Sequence, residues 1–453
     1  MGTTRNATDS AELSRSRRPR RFFIQQIAAE LSRATRYYDR VLQWLPRPLD
    51  SGELLEAIDC ARKDTIGEDE SFPDLSKERE QRSAILLHSN FNYNYDIQQL
   101  LMRLKPRLSR TSRVLAVTYN PYLRWPFAFA TRLGLWRGEV PASFVTRSAL
   151  INIAKISGFE AVRERPAAHF PFELFGIGAI LDRLISALPL VRNLALVGIV
   201  FLRPIAPCFD RPSLSIVVPA RNEMGNIAAV MQRLPDFGGA PVELLFVEGH
   251  STDGTWDEIL RVVATNTSRI ECRAFQQTGV GKADAVRLGL SHATGDLVTI
   301  LDADLTMPPE LLPRFYDAYC RGDADFLNGS RLVYPMEGNA MRSLNLIGNL
   351  FFAKVLSGIV GAKLTDVLCG TKLLARHDHE RFNRWRRDFG AFDPFGDFEL
   401  LFPAAVMGLG IVDIPIRYRD RTFGTTQIHR FRHGWQLLKM TVIAVLRIRI
   451  APR

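Results

Sequence analysis

The sequence predicts an α/β protein in two parts, each a sheet flanked by helices. Three observations carry this. From Ala84 onward, short β-branched or leucine-rich runs alternate with helical stretches, the pattern of parallel strands joined by helical crossovers. Residues Pro204–Pro212 hold three prolines in nine positions, a composition that blocks helix and marks a boundary. Beyond it, four apolar runs in succession each end in a polar cluster, which is where open parallel sheets bind ligands. A length of 453 residues accommodates two or three domains. The expected division is a disordered basic tail (1–21), a first α/β domain (22–205), a proline-rich linker (206–212), a second α/β domain (213–432) and a C-terminal apolar, basic helix (433–453).

Composition narrows the classes. The chain is 46% hydrophobic and 24% charged, as globular proteins are. Its formal charge of +11 points to anionic partners. No aromatic–basic stacking motif accompanies that charge, so a nucleic acid is not the expected partner. Five scattered cysteines form no Cys-x-x-Cys, which excludes a zinc site or disulfide framework and suggests the cytoplasm, or the inner face of its membrane. The longest apolar stretch, Phe172 to Val200, is broken by Asp182, Arg183, Pro189 and Arg192, so no spanning helix is expected. Residues 1–21 lack the apolar core of a secretory signal.

In the first domain, apolar positions Ile24, Ile27, Leu31, Tyr37, Val41 and Leu45 have helical spacing and predict a helix over Phe22–Leu45. A short helix is expected over Glu53–Arg62. Strands follow at Ala84–His88, Arg113–Tyr119 and Leu194–Leu202, with helices at Asp96–Leu104 and Thr146–Ile156. The order of these elements, and the run Ser148-Ala-Leu-Ile-Asn-Ile-Ala-Lys-Ile-Ser-Gly-Phe-Glu160, resemble the C-terminal half of a class I S-adenosylmethionine-dependent methyltransferase. Its nucleotide-binding half should bring a Gly-x-Gly turn. The only glycines before Ala84 are Gly2, Gly52 and Gly67. The expectation is therefore a partial Rossmann-like domain without methyl transfer, serving to dock or stabilise; residual methyltransferase activity is the alternative.

In the second domain, strands are expected at Leu214–Pro219, Val242–Val247, Ile270–Phe275 and Val298–Leu301. The last runs into Asp302-Ala-Asp304. Carboxylates at i and i+2 face one side of an extended chain, and such a pair suits a hard divalent cation that also holds substrate phosphates; a strand cap is the bland alternative. Glu223, Glu248 and Asp253 stand at strand ends, where a carboxylate can accept from base N–H or ribose hydroxyls. A helix-start acid explains Glu223 equally well, and an Asx turn is the competing role for Asp253. Lys282 follows Gly279 and Gly281 at a helix start, where amides and a cation meet phosphate.

Four ordered motifs, Val217-Val-Pro-Ala-Arg-Asn-Glu223, Glu248-Gly-His-Ser-Thr-Asp-Gly-Thr255, Gly281-Lys-Ala-Asp-Ala-Val-Arg-Leu-Gly289 and Leu301-Asp-Ala-Asp-Leu305, resemble glycosyltransferase family 2, on its dolichyl- and polyprenyl-phosphate mannosyltransferase-like branch. The resemblance covers about residues 212 to 430. It implies a GT-A nucleotide-sugar transferase fold, a Rossmann-like mixed sheet with helices on both faces. It implies Mg²⁺ or Mn²⁺ on Asp302 and Asp304, and donor contacts from Pro219, Ala220, Glu223, Glu248, Asp253, Lys282 and Arg331. Asp397 or Glu399 is implied as base or positioning group, and Arg421 as a phosphate clamp. Two departures stand out: the motif serine is Cys369, and the closing lysine is Gln427.

The function expected is metal-dependent, inverting transfer of a sugar from a nucleotide-diphosphate donor to a polyprenyl-phosphate, glycan or other hydroxyl acceptor. A non-catalytic membrane-surface scaffold is the competing class. For the C-terminal helix, packing on the domain and peripheral attachment to anionic lipid remain open side by side.

Overall fold

The computed structural model describes residues 21–45, 51–67, 70–88, 90–93, 96–132, 141, 143–170, 173, 177–187, 191, 194–208, 210–334, 343–390, 393, 396–419, 421, 423 and 430–450. The expected basic tail lies outside them except for Arg21, which opens a helix. Contacts divide the chain into two compact units, Met1–Ile205 with Val445–Arg453, and Ala206–Ala444.

The first unit runs α1 (21–35), β1 (Arg40–Trp44), α2 (Glu53–Ala57), β2 (Lys63–Ile66), β3 (Ser83–His88), α3 (Asn90–Tyr93), α4 (Ile97–Leu104), β4 (Arg113–Tyr119), α5 (Arg124–Arg132), α6 (Arg147–Ile156), β5 (Phe159–Ala167), α7 (Ile177–Ala187) and β6 (Val197–Pro204). Its sheet order is β2-β1-β3-β4-β6-β5, with β6 antiparallel to both neighbours and the remaining pairs parallel. Side-chain caps set two helix starts: Asp96 accepts from Gln99 N at 2.7 Å and Thr146 from Ala149 N at 3.3 Å.

Here the sequence reading needs correction. The helix expected to Leu45 stops at residue 35, and residues 40–44 form a strand. Val41 and Leu42 are both buried, as in a strand covered on two faces, and adjacent apolar residues fit that better than one helical stripe. The helix expected over Glu53–Arg62 ends at Ala57, and β2 follows. Two parallel strands therefore precede Ala84, where none was expected.

The second unit runs β7 (Leu214–Ala220), α8 (Met224–Gln232), β8 (Val242–Glu248), α9 (Thr255–Ala264), β9 (Glu271–Gln276), α10 (Lys282–His292), β10 (Leu297–Ile300), α11 (Leu312–Arg321), β11 (Phe326–Ser330), α12 (Ser343–Val360), β12 (Lys372–Ala375), α13 (Arg376–Phe389), α14 (Phe398–Val406), β13 (Ile411–Pro415) and α15 (Arg430–Ala444). The sheet order is β13-β11-β12-β10-β7-β8-β9. Only β12 runs against its neighbours; the other pairs are parallel. Ile216, Val217 and Val218 of β7, with Leu244, Leu245 and Phe246 of β8, are fully buried. Continuous burial is what helices on both faces demand of a parallel strand, and each such side chain contributes about 1.5–3 kcal/mol. Strand β13 lies on the sheet edge, where its proline is tolerated.

Close approaches fix the inner strands. Gly295, just before β10, donates its N–H to Ser215 Oγ at 2.8 Å, and a Cβ there would lie 2.8 Å from Ser215 N. Replacing Gly295 with Ala should cost about 1–3 kcal/mol, read as a lower denaturation midpoint; an unchanged midpoint would contradict this packing.

Candidate functional site

In the second unit β7 pairs with β8 on one side and β10 on the other, so the chain leaves the ends of β7 and β10 in diverging directions and opens a crevice there. The loops after β7, β8 and β10 each hold a non-glycine residue at positive φ: Asn222 at 55°, His250 at 57° and Leu305 at 54°. Such backbone is uncommon, for leucine most of all, and three instances mark an edge shaped for something other than stability.

Asp302 and Asp304 follow β10 in a turn rather than in extended backbone, and each meets its own cation. Asp302 Oδ1 lies 2.5 Å from Lys282 Nζ, at the start of α10. Its Oδ2 faces Gly370, where a Cβ would come within 2.5 Å of that oxygen and would also strike the Lys282 ammonium; only glycine leaves this space. Asp304 is buried. Its Oδ1 accepts from Thr306 N at 3.1 Å and Oγ1 at 2.7 Å, and its Oδ2 accepts from Arg421 Nη2 at 2.6 Å. Arg421 Nη1 reaches Glu223 Oε1 at 3.2 Å, so one guanidinium ties the loops after β7 and β10.

Pro219 and Ala220 end β7, and Ala220 O accepts from Gly249 N at 2.9 Å. Glu248, at the end of β8, lines a cleft of about 510 Å³ with His250, Thr252, Trp256 and Gln276; its Oε1 accepts from Ser251 N at 2.5 Å. Asp253 bonds to Thr255 N at 3.1 Å and Met224 N at 3.3 Å, the Asx turn named as its competing role. Arg331 grips Asp366 with Nε and Nη2, both at 2.8 Å, and its guanidinium lies 5.4 Å from the Tyr418 ring centroid. Asp397 immediately precedes α14, whose first amides Phe398 N and Glu399 N donate to Asp393 instead, and lies 2.5 Å from the buried Lys372 Nζ. Glu399 is held by Arg287 at 3.0 and 3.1 Å and by Arg386 at 3.6 Å. Gln427 lies outside the described residues.

Burial works against charge on Asp302, but Lys282, Lys372 and Arg421 outweigh it and hold the carboxyl below its usual range. Burial likewise opposes the Lys282 cation, yet Asp302, Asp397 and Asp304 raise its pKa. At Glu223 burial wins: despite Asn226 and Arg421, the carboxyl sits above the usual range, with Asp304 and Asp253 adding to the rise. Burial, with Asp366 beside it, pushes the Cys369 thiol up to about 12, which suits a structural thiol and not a nucleophile.

Among the described residues no three His, Cys, Asp or Glu side chains gather around a point that could hold a metal. Two carboxylates are nevertheless what Mg²⁺ or Mn²⁺ needs from a protein when substrate phosphates and waters complete the octahedron. The fit rests on Asp302 Oδ2 facing the space that Gly370 leaves, and on Thr306 orienting Asp304. Sequence reasoning quoted Gly370 and Lys372 only within the motif around Cys369 and gave Thr306 and Tyr418 no role. Gly370 comes just before β12 and Lys372 opens it; Thr306 and Tyr418 carry no charge pattern.

Residues 215–382 match the family Glycosyl transferase family 2. A dolichyl-phosphate hexose transferase of Haloferax volcanii is 29% identical over 240 residues, 52% of this chain and 96% of that protein. The low-salt glycan biosynthesis hexosyltransferase Agl6 of the same organism is 26% identical over 235 residues, 51% of this chain, which spans 54% of that relative's length. Glucosyl-3-phosphoglycerate synthase from Mycobacterium tuberculosis, solved with Mn²⁺, UDP and glucosyl-3-phosphoglycerate, aligns at a TM-score of 0.38 and 17% identity over 53% of this chain and 81% of that one.

Gly370→Ala should displace the Lys282 and Asp302 side chains, the flexible ends that a Cβ would meet, with little change in thermal midpoint. A crystal structure of the variant checks it; the pair left in its wild-type place would contradict this close approach.

Proposed function

Residues 215–382 are a glycosyl transferase family 2 segment and the chain is a hexosyltransferase of that family; on that premise we propose that it moves a hexose from a nucleotide-diphosphate sugar onto a polyprenyl phosphate, with inversion and with a divalent cation. One observation carries the choice of acceptor. Both carboxylates expected to act as base are already matched by cations, Asp397 by Lys372 and Glu399 by Arg287 and Arg386. A hydroxyl acceptor must lose a proton to such a group. A phosphate acceptor arrives ionised and needs none, which disfavours the glycan or other hydroxyl acceptor.

In this reading a phosphate oxygen of the acceptor forms a bond to the anomeric carbon as the bond from that carbon to the diphosphate breaks. The electron pair leaves with the nucleoside diphosphate. Lys282 and Arg421, fixed in advance by Asp302, Asp304 and Glu223, stabilise the charge that develops on the leaving group. Asp302 and Asp304 would hold Mg²⁺ or Mn²⁺, which would supply Lewis-acid neutralisation of the same diphosphate. Glu248 and His250 line the cleft that takes the nucleoside, and Arg331 stands on the acceptor side. A single displacement inverts the sugar; a protein nucleophile for a double displacement finds no support in a buried Cys369 thiol or in paired carboxylates. The GT-A assignment draws on the same family and on a largely parallel sheet with one reversed strand.

Lipid is supported by surface chemistry. Trp435, Leu438 and Val442 on α15, and Leu350 and Phe351 on α12, are exposed apolar residues, with the exposed Lys354 and Lys439 on the same helices. That mixture suits attachment to an anionic bilayer. Among the described residues no helix is long and apolar enough to cross a membrane. For the first unit the proposal remains a truncated methyltransferase-like module that docks or stabilises, since no Gly-x-Gly stands between β1 and α2.

Glu399→Gln should keep transfer to polyprenyl phosphate within about tenfold of wild type, whereas loss of a true base costs about 100- to 10,000-fold. Asp302→Asn or Asp304→Asn should cost at least about 100-fold. Product formation from a donor panel with Mn²⁺ reads both; a folded Glu399→Gln protein without activity would overturn the phosphate-acceptor reading.

A further inference from the structure

The ends of β4 and β5 lie at one edge of the first sheet, with the start of β6 between them: Tyr119 and Ala167 both pair with Val197. A helix follows each end. After β4, Asn120 Oδ1 accepts from Tyr122 N at 3.1 Å and its Nδ2 donates to Ala195 O at 2.7 Å, which sets the start of α5 against the segment that enters β6. After β5, His169 N donates to Asp182 Oδ1 at 2.6 Å, which anchors α7 to the same edge.

Both helices turn apolar residues outward. On α7, Ile177, Ile180 and Leu184 are each more than half exposed, while Gly178 and Asp182 are buried. Positions 177, 180 and 184 share one side of a helix, so the carboxylate points in and the aliphatic stripe out, the reverse of an ordinary surface helix. On α5, Trp125 and Phe129 stand at i and i+4, with Tyr122 three positions earlier; they are 83%, 64% and 78% exposed. Arg132, three positions beyond Phe129, ends the stripe, and Arg124 is exposed at its start. Scattered exposed apolar side chains need no explanation, but two such stripes at one edge mark a contact surface.

Charge indicates what covers it. No acidic residue lies between Asp96 and Glu139 in the sequence, and the one acid of α7 is the buried Asp182. A two-fold contact with a second copy would bring Arg124 and Arg132 against helices with no exposed carboxylate to answer them. The phosphates of an anionic bilayer answer them, while tryptophan and tyrosine suit the headgroup level and aliphatic side chains the layer beneath.

We propose that this edge of the first unit docks on an anionic lipid bilayer through α5 and α7, with Trp125 and Phe129 in the interfacial layer and Arg124 and Arg132 at the lipid phosphates. The proposal gives the docking role suggested for the first unit its partner, and it is independent of the glycosyl-transfer reading.

Co-sedimentation of the full chain with vesicles of mixed phosphatidylglycerol and phosphatidylcholine tests it. Wild type should bind these, and bind phosphatidylcholine alone about tenfold more weakly. Trp125→Ala with Phe129→Ala should lower partition onto the mixed vesicles about tenfold, with the thermal midpoint unchanged because both side chains already face water. Ile180→Ser with Leu184→Ser should act in the same direction. Brominated acyl chains should quench the tryptophan emission of wild type more than that of Trp125→Phe. Wild type that binds no vesicles, or full-strength binding after the two aromatic substitutions, which leave α15 intact, would overturn the proposal. So would equal quenching in Trp125→Phe, or a concentration-dependent pairing of the chain that the two aromatic substitutions abolish.

Discussion

Four charges at the carboxyl edge of β7 and β10 organise this protein: Lys282 on Asp302 and Arg421 on Asp304. Asp304 is buried and Asp302 partly so, and the cation against each offsets the hydration that its carboxylate loses. Arg421 also reaches Glu223, and thereby ties the loop after β7 to the loop after β10. The arrangement is nearly neutral in itself, but its parts are oriented. In the proposed reading, a diphosphate entering the crevice would find cations already in position and little to reorganise.

The rest of the second unit serves that edge. Parallel strands bring the ends of β7, β8 and β10 together, and buried apolar runs hold them in register. The single reversed strand, β12, delivers Gly370 and Lys372 to the same place from the opposite direction. Gly370 leaves the gap beside Asp302, and Lys372 neutralises Asp397. Glu399 on α14 pairs with Arg287 and Arg386. Both carboxylates expected to act as base are thus matched by cations, which in the proposed reading favours an acceptor that is already an anion.

Much of the edge was readable in the sequence because its residues stand at the ends of mostly apolar strands. β7, β8 and β10 announce themselves, and Glu223, Glu248, Asp302 and Asp304 come directly after them. The partners of those carboxylates were harder. Arg421 was expected to meet phosphate, yet in the structure it holds two carboxylates 117 and 198 positions away along the chain, a tertiary fact no local pattern encodes. β12 has four residues, too few to show a period, so Gly370 and Lys372 gained no structural context. In the first unit, Tyr37 and Val41 continued a helical spacing by coincidence, and β1 was hidden inside it.

The account stands or falls on which acceptor the neutralised edge accepts. The most direct measurement compares nucleoside diphosphate release from a matched donor, with Mn²⁺, in the presence of a polyprenyl phosphate and of the corresponding polyprenol. Transfer to the phosphate with little or none to the alcohol is the predicted result. Equal transfer to the alcohol would show that a base operates there after all, and would contradict the account.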